Sequence, residues 1–134
     1  MSSPENMLVI MSDEHQARAL SCLGHFVDTP NLDRLAAEGT LFTRAYTPSP
    51  ICVPARASFA SGRPVHENRL WDNAMPYRGQ PKGWGHALQN AGIAVESIGK
   101  LHYSASDDDN GLDADHIPMH VVGGHGLVWA SISD

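Results

Sequence analysis

The chain has 134 residues, 42% of them hydrophobic, enough for one domain with a real core. Nine Lys and Arg against 15 Asp and Glu give a net charge of −6, which leaves no electrostatic footprint for nucleic acid or an anionic membrane. Two cysteines, Cys22 and Cys52, make no disulfide framework. The opening MSSPENMLVIMSDEH has no basic n-region and no apolar run of signal-peptide length, and Met7–Met11 is too short to cross a bilayer. A soluble, cytoplasmic protein is the expectation.

In chain order, Met7 to Met11 is a continuous apolar run, the pattern of a strand buried inside a parallel sheet. Polar residues Ser12 to Gln16 crowd its carboxyl end, where ligands bind in open parallel sheets. Thr29 and Pro30 open a helix, Leu32, Leu35 and Ala36 give it one apolar face, and Gly39 closes it. Residues 41–46 alternate as a strand does. Thr47 to Pro54 reads as a loop stiffened by Pro48, Pro50 and Pro54, and Ala55 to Ser61 as a helix stopped by Gly62. Residues 63–81 look irregular. Gly83 to Ala91 predicts a helix with Trp84, Ala87, Leu88 and Ala91 as its apolar stripe, and residues 93–98 a second buried strand leading into Gly99, Lys100, Leu101 and His102. The β-α-β rhythm argues for an α/β fold. The pattern weakens beyond Tyr103. The apolar ending GLVWASISD lacks an evident partner, which suggests part of a longer protein.

Three constellations carry chemistry. Asp13 and Glu14 suit either a solvated helix start or two oxygen ligands of a hard divalent cation, which takes about six. Cys52 is compatible with a small buried hydrophobe or a reactive thiol. There is no Cys-x-x-Cys, so a redox motif or structural zinc does not fit. Arg56 could reach back toward the sulfur or a bound anion. Lys100 and His102, two apart, would point the same way on an extended chain, as an anion clamp and a general acid. Asn73, beside Trp71, is a neutral polar group that means little alone. The acidic run Asp107–Asp109 reads as a solvated loop, and His116, His120 and His125 have no metal spacing.

Together the stretches NMLVIMSDEH, DTPNLDRLAAEGTLFTRAYTPSPICVPARASFASGR, WDN and IGKLHY resemble, in order and spacing, the N-terminal part of the sulfatases, members of the alkaline-phosphatase-like superfamily. The likeness runs from about Asn6 to His102. Its core is Cys52-Val53-Pro54-Ala55-Arg56 followed by Ser61-Gly62-Arg63. The fold implied is a mixed, mostly parallel sheet flanked by helices, with residues 1–134 forming the N-terminal part of the catalytic domain.

The resemblance implies a sulfuric ester hydrolase in which Cys52 is oxidised to formylglycine by a formylglycine-generating enzyme. The hydrated aldehyde attacks the sulfur of a small sulfate ester, expels the alcohol, and then eliminates sulfate. By position, Arg56 would hold the nucleophile, Lys100 would contact the sulfate oxygens, His102 would assist at the nucleophile or sulfate, and Asn73 would face the substrate. Asp13, Glu14 and the modified Cys52 would share a divalent metal, calcium by family habit, with magnesium or manganese as alternatives. Where many sulfatases carry a second aspartate this chain has Glu14, and the family's remaining metal ligands come from a much later segment. WDN and the stretch leading to HIPMHVV also resemble the phosphonate monoester hydrolases. Those tend to carry hydroxyl residues where this chain has Lys100 and His102, so sulfate is favoured over phosphonate.

Overall fold

A computed structural model describes residues 6–16 and 18–120. The chain divides into two compact units, Met1–Tyr46 and Thr47–Asp134. Its elements are a short 3-10 turn at Ser21–Leu23, helices α1 (Pro30–Glu38), α2 (Cys52–Ser61), α3 (Val65–Asn68) and α4 (Trp84–Asn90), and strands β1 (Glu96–Lys100) and β2 (Ala114–Met119). No helix among the described residues is long and apolar enough to cross a membrane. The stretch 126–134 and His125 lie outside the described residues.

In the first unit α1 begins and ends where the sequence places it. Pro30 sits in the first turn, where its missing N–H is not needed, and the Gly39 N–H returns to the Leu35 carbonyl at 2.9 Å. Thr29 does not cap the helix backbone. Its hydroxyl accepts the Ser21 N–H (2.9 Å) and donates to Asp33 (2.9 Å), while the Ser21 hydroxyl donates to the other Asp33 oxygen (2.5 Å). The Ser21 hydroxyl above all, with help from Thr29 and the Cys22 N–H, holds the Asp33 carboxyl below its ordinary value.

Two strand expectations fail in this unit. Residues 7–11 form no strand and are between 46% and 84% exposed, and residues 41–46 form none either. Apolar composition favours burial but does not supply a ladder partner. Among the described residues, strand pairing is confined to β1 and β2.

The second unit is organised by α2. Small residues make it a compact cylinder, and Gly62 (φ 67°) ends it in the left-handed conformation with its N–H on the Ser58 carbonyl (2.9 Å). The helix starts at Cys52, three residues before the expected Ala55, because Pro54 falls in its first turn and no intrahelical N–H is lost. Asn68 of α3, inside the stretch expected to be irregular, donates to the Ser58 hydroxyl (3.1 Å) and the Arg63 carbonyl (3.2 Å). Ala57, Ala60, Tyr77 and Tyr103 form the core, with Leu70, Leu101 and Leu112 against it. The two tyrosine rings meet edge to face at 5.0 Å.

Helix α4 buries Gly85 and His86 instead of the apolar stripe expected for it. Close backbone approach decides this. A Cβ on Gly83 would stand 1.8 Å from the Ala60 carbonyl oxygen, and one on Gly85 2.4 Å from that of Gly111. His86 Nδ1 accepts the Gly83 N–H (3.1 Å), so its proton resides on Nε2, which donates to the Asp109 carbonyl (2.8 Å). The expected solvated loop is thus anchored at Asp109, which also pairs with Lys82 (3.2 Å).

β1 lies later than expected, over 96–100, and β2 was not foreseen. They pair in parallel, Glu96 opposite Ala114 through Ile98 opposite His116, and the register then shifts so that Lys100 faces Met119. Ile117 (φ 51°) and Pro118 therefore share the place opposite Gly99, a bulge in β2. Asp113 fixes the entry to both strands, its N–H on the Val95 carbonyl (2.7 Å) and its carboxylate on the Val95 N–H (2.7 Å).

Candidate active site

The site forms where the start of α2 meets the end of β1. Cys52 is the first residue of α2, half-buried and in no disulfide. Lys100, the last residue of β1, points its ammonium at the Cys52 sulfur, 3.7 Å away. Arg56 lies one turn along the same helix face as Cys52 and is 7% exposed. Its guanidinium donates to the Lys100 carbonyl. One residue of β1 is thus held twice by α2, through its side chain and through its backbone. Three residues predicted to act together are brought together, Lys100 reaching the sulfur and Arg56 holding the Lys100 backbone.

The N-terminus of α2 is completed from a distance. Ile51, at the cap position, has no side-chain acceptor, and the amide oxygen of Asn73 accepts the Val53 N–H at 3.0 Å. Asn73 sits in a turn closed by Asp72, whose carboxylate accepts the Ala74 N–H (2.8 Å).

His102 is buried at 4% exposure, and its N–H donates to the Met119 carbonyl at the end of β2 (2.9 Å). Its φ is 60°, so the chain from Lys100 to His102 is not extended. The expectation that both side chains point the same way rested on extension and does not carry over.

Asp13 and Glu14 belong to the other unit, in a turn after the apolar run, and both are exposed. Their carboxylates are the right donors for a hard cation. Such an ion takes about six to eight oxygens. Among the described residues no group of three or more His, Cys, Asp and Glu could hold one. The described residues do not by themselves fit the expected calcium.

One polar cluster escaped the sequence. Asp115 of β2 accepts from Ser97 of β1 (2.6 Å), from Ser106 (3.2 Å) and from His120 Nε2 (2.6 Å). It ties both strands to the segment between them. Five-residue spacing between Asp115 and His120 fits neither a helix face nor a strand face, so no periodicity flags it.

A family profile described as Sulfatase matches residues 5–127. The chain belongs to the sulfatase family. It is 38% identical over 98 residues to an N-acetylglucosamine-6-O-sulfatase of Bacteroides thetaiotaomicron, covering 72% of this chain and 18% of that protein. It is 35% identical over 109 residues to a choline-sulfatase of Rhizobium meliloti, covering 81% and 21%. The chain thus spans about a fifth of the length of these curated relatives. Among solved structures it is similar to BT4656, determined with its substrate D-glucosamine-2-N,6-O-disulfate, at a TM-score of 0.70 and 36% identity, over 77% of this chain and 21% of that one. The phosphonate monoester hydrolase of Agrobacterium radiobacter matches at 0.66 and 25% identity, over 90% and 26%. These neighbours give the chain its alkaline-phosphatase-like α/β fold.

Proposed function

We propose that this sulfatase-family chain carries the nucleophile side of a site that hydrolyses sulfate esters. The observation that carries the reading is the meeting of Cys52, Arg56 and Lys100 at the start of α2. Cys52, oxidised to formylglycine during maturation, supplies a hydrated aldehyde as the nucleophile. The Lys100 ammonium, aimed at the Cys52 position, meets the oxygens of a bound sulfate, where negative charge must be balanced. Arg56 fixes the Lys100 backbone, so the ammonium is placed before substrate arrives. His102, two residues on and shielded from water, is the proton carrier of this reading. Asp13 and Glu14 offer oxygens of the kind calcium takes, fewer than its shell requires.

A second reading, phosphonate ester hydrolysis with the same nucleophile, is favoured by the likeness to the Agrobacterium hydrolase. Both anions are tetrahedral. The sulfatase relatives and Lys100 beside Cys52 favour sulfate.

The test begins with protein made alongside a formylglycine-generating enzyme. Mass spectrometry of the peptide containing Cys52 should show an aldehyde, and aryl sulfate should turn over faster than aryl phosphonate. An unmodified thiol would sink the formylglycine reading, and faster phosphonate turnover would reverse the preference.

A further inference from the structure

The start of α2 presents an unusual problem in hydrogen bonding. A helix leaves its first N–H groups without intrahelical partners, and the cap residue's side chain normally accepts from the second or third. Here the cap residue is Ile51, which has no acceptor. The third helical residue is Pro54, which has no N–H to satisfy. The demand therefore falls on the Val53 N–H, the amide immediately after Cys52. The first intrahelical bond, from Ala55 N–H to the Ile51 carbonyl at 3.1 Å, begins only beyond it. Asn73 meets that demand from 20 residues along the chain, its amide oxygen 3.0 Å from the Val53 nitrogen.

We infer that Asn73 is a positioning residue: it caps α2 from outside the helix and so fixes the backbone that carries Cys52. This rests on the proposed role of Cys52 and assigns Asn73 its effect through the Val53 amide, without contact to substrate. The turn around Asn73 is itself fixed, since Asp72 accepts the Ala74 N–H and the Met75 N–H returns to the Asp72 carbonyl (3.3 Å). The chain of restraint runs from Asp72 through the turn to Asn73, to Val53, and so to Cys52. What the cap requires of residue 73 is an acceptor oxygen, and aspartate has one as well.

Three forms of the formylglycine-converted protein separate the possibilities: wild type, Asn73→Ala and Asn73→Asp. Two readouts are taken on each, hydrogen exchange at the Val53 amide and aryl sulfate kinetics. Asn73→Ala should lose protection at Val53 and drop kcat about tenfold, the scale of one lost cap, with KM within about twofold. Asn73→Asp should restore both. A raised KM with kcat unchanged would overturn the inference in favour of direct substrate contact. An Asn73→Asp variant as impaired as Asn73→Ala would also overturn it, because the amide's donor would then be what matters. If the wild type turns over no ester at all, the proposed activity fails, and the exchange readout decides the cap alone. Protection lost in Asn73→Ala and regained in Asn73→Asp sustains it, and unchanged protection refutes it.

Discussion

Arg56 poses the sharpest energetic question, because a buried cation can either stabilise or destabilise its surroundings. It is 7% exposed, and its guanidinium donates to the Lys100 carbonyl. Replacing a buried charged group by an apolar one of similar length is often neutral or stabilising, since the desolvation cost disappears. Against that stands the loss of a charge-assisted hydrogen bond, about 1.5–3 kcal/mol. The partner decides between them. A carboxylate left behind could be protonated, but the Lys100 carbonyl stays in place and keeps its demand for a donor. The hydrogen bond should therefore win, and Arg56→Met, which keeps the stem, should lose about 2 kcal/mol. Arg56→Ala also empties the space of the stem and should lose roughly 2 kcal/mol more. Urea unfolding gives both numbers as a shift in midpoint at constant slope. An Arg56→Met variant as stable as wild type, or more so, would refute the reasoning and leave Arg56 a purely catalytic role.

Two further outcomes follow from the second unit. Gly83→Ala would place a Cβ 1.8 Å from the Ala60 oxygen and 2.5 Å from its carbon, both backbone atoms, so α4 must move off α2. Denaturation should show a loss of about 1–3 kcal/mol or more, and unchanged stability would mean the two helices do not touch there. Burial above all, with the charge of Asp109 second, pushes the Tyr77 phenol up to about 12, and burial pushes Tyr103 higher still. From the ordinary value of 10.0 upward the unfolded chain releases these protons while the folded one keeps them, so stability falls with rising pH between 10 and about 12. Thermal midpoints across that range, read with tyrosinate absorbance, check it. Tyrosinate forming near pH 10 without unfolding would contradict the burial.

How much of this was legible in the sequence varies by element. α1 and the end of α2 are legible almost to the residue, because Pro30, Gly39 and Gly62 are local signals that act through their own backbone. The start of α2 reads late in the sequence because Pro54 looks like a breaker, and only in the first turn is it harmless. β2 was invisible: ADHIPM neither alternates nor runs apolar, and a proline argues against a strand except at a bulge, which is where Pro118 sits. The runs at 7–11 and 41–46 show the converse, strand-like composition without a partner among the described residues. At the site, Cys52, Arg56 and Lys100 came from a resemblance spanning four separated blocks. The tie between Asn73 and Val53 depends on a turn meeting a helix end 20 residues away, which no spacing rule encodes.

With Ile117 and Pro118 sharing the place opposite Gly99, β2 cannot slide along β1 by one residue without putting Pro118 where a ladder needs a donor. That sets where insertions and deletions can be tolerated. A residue added at Ser106–Asp108, the solvent-facing part of the connection, can be taken up by turns at the surface. A residue added within 114–119 shifts Met119 away from Lys100 and from the His102 N–H together. Length variation should accumulate around 106–108 and be purged inside β2, so the bulge works as a ruler whose last mark is the lysine that reaches Cys52.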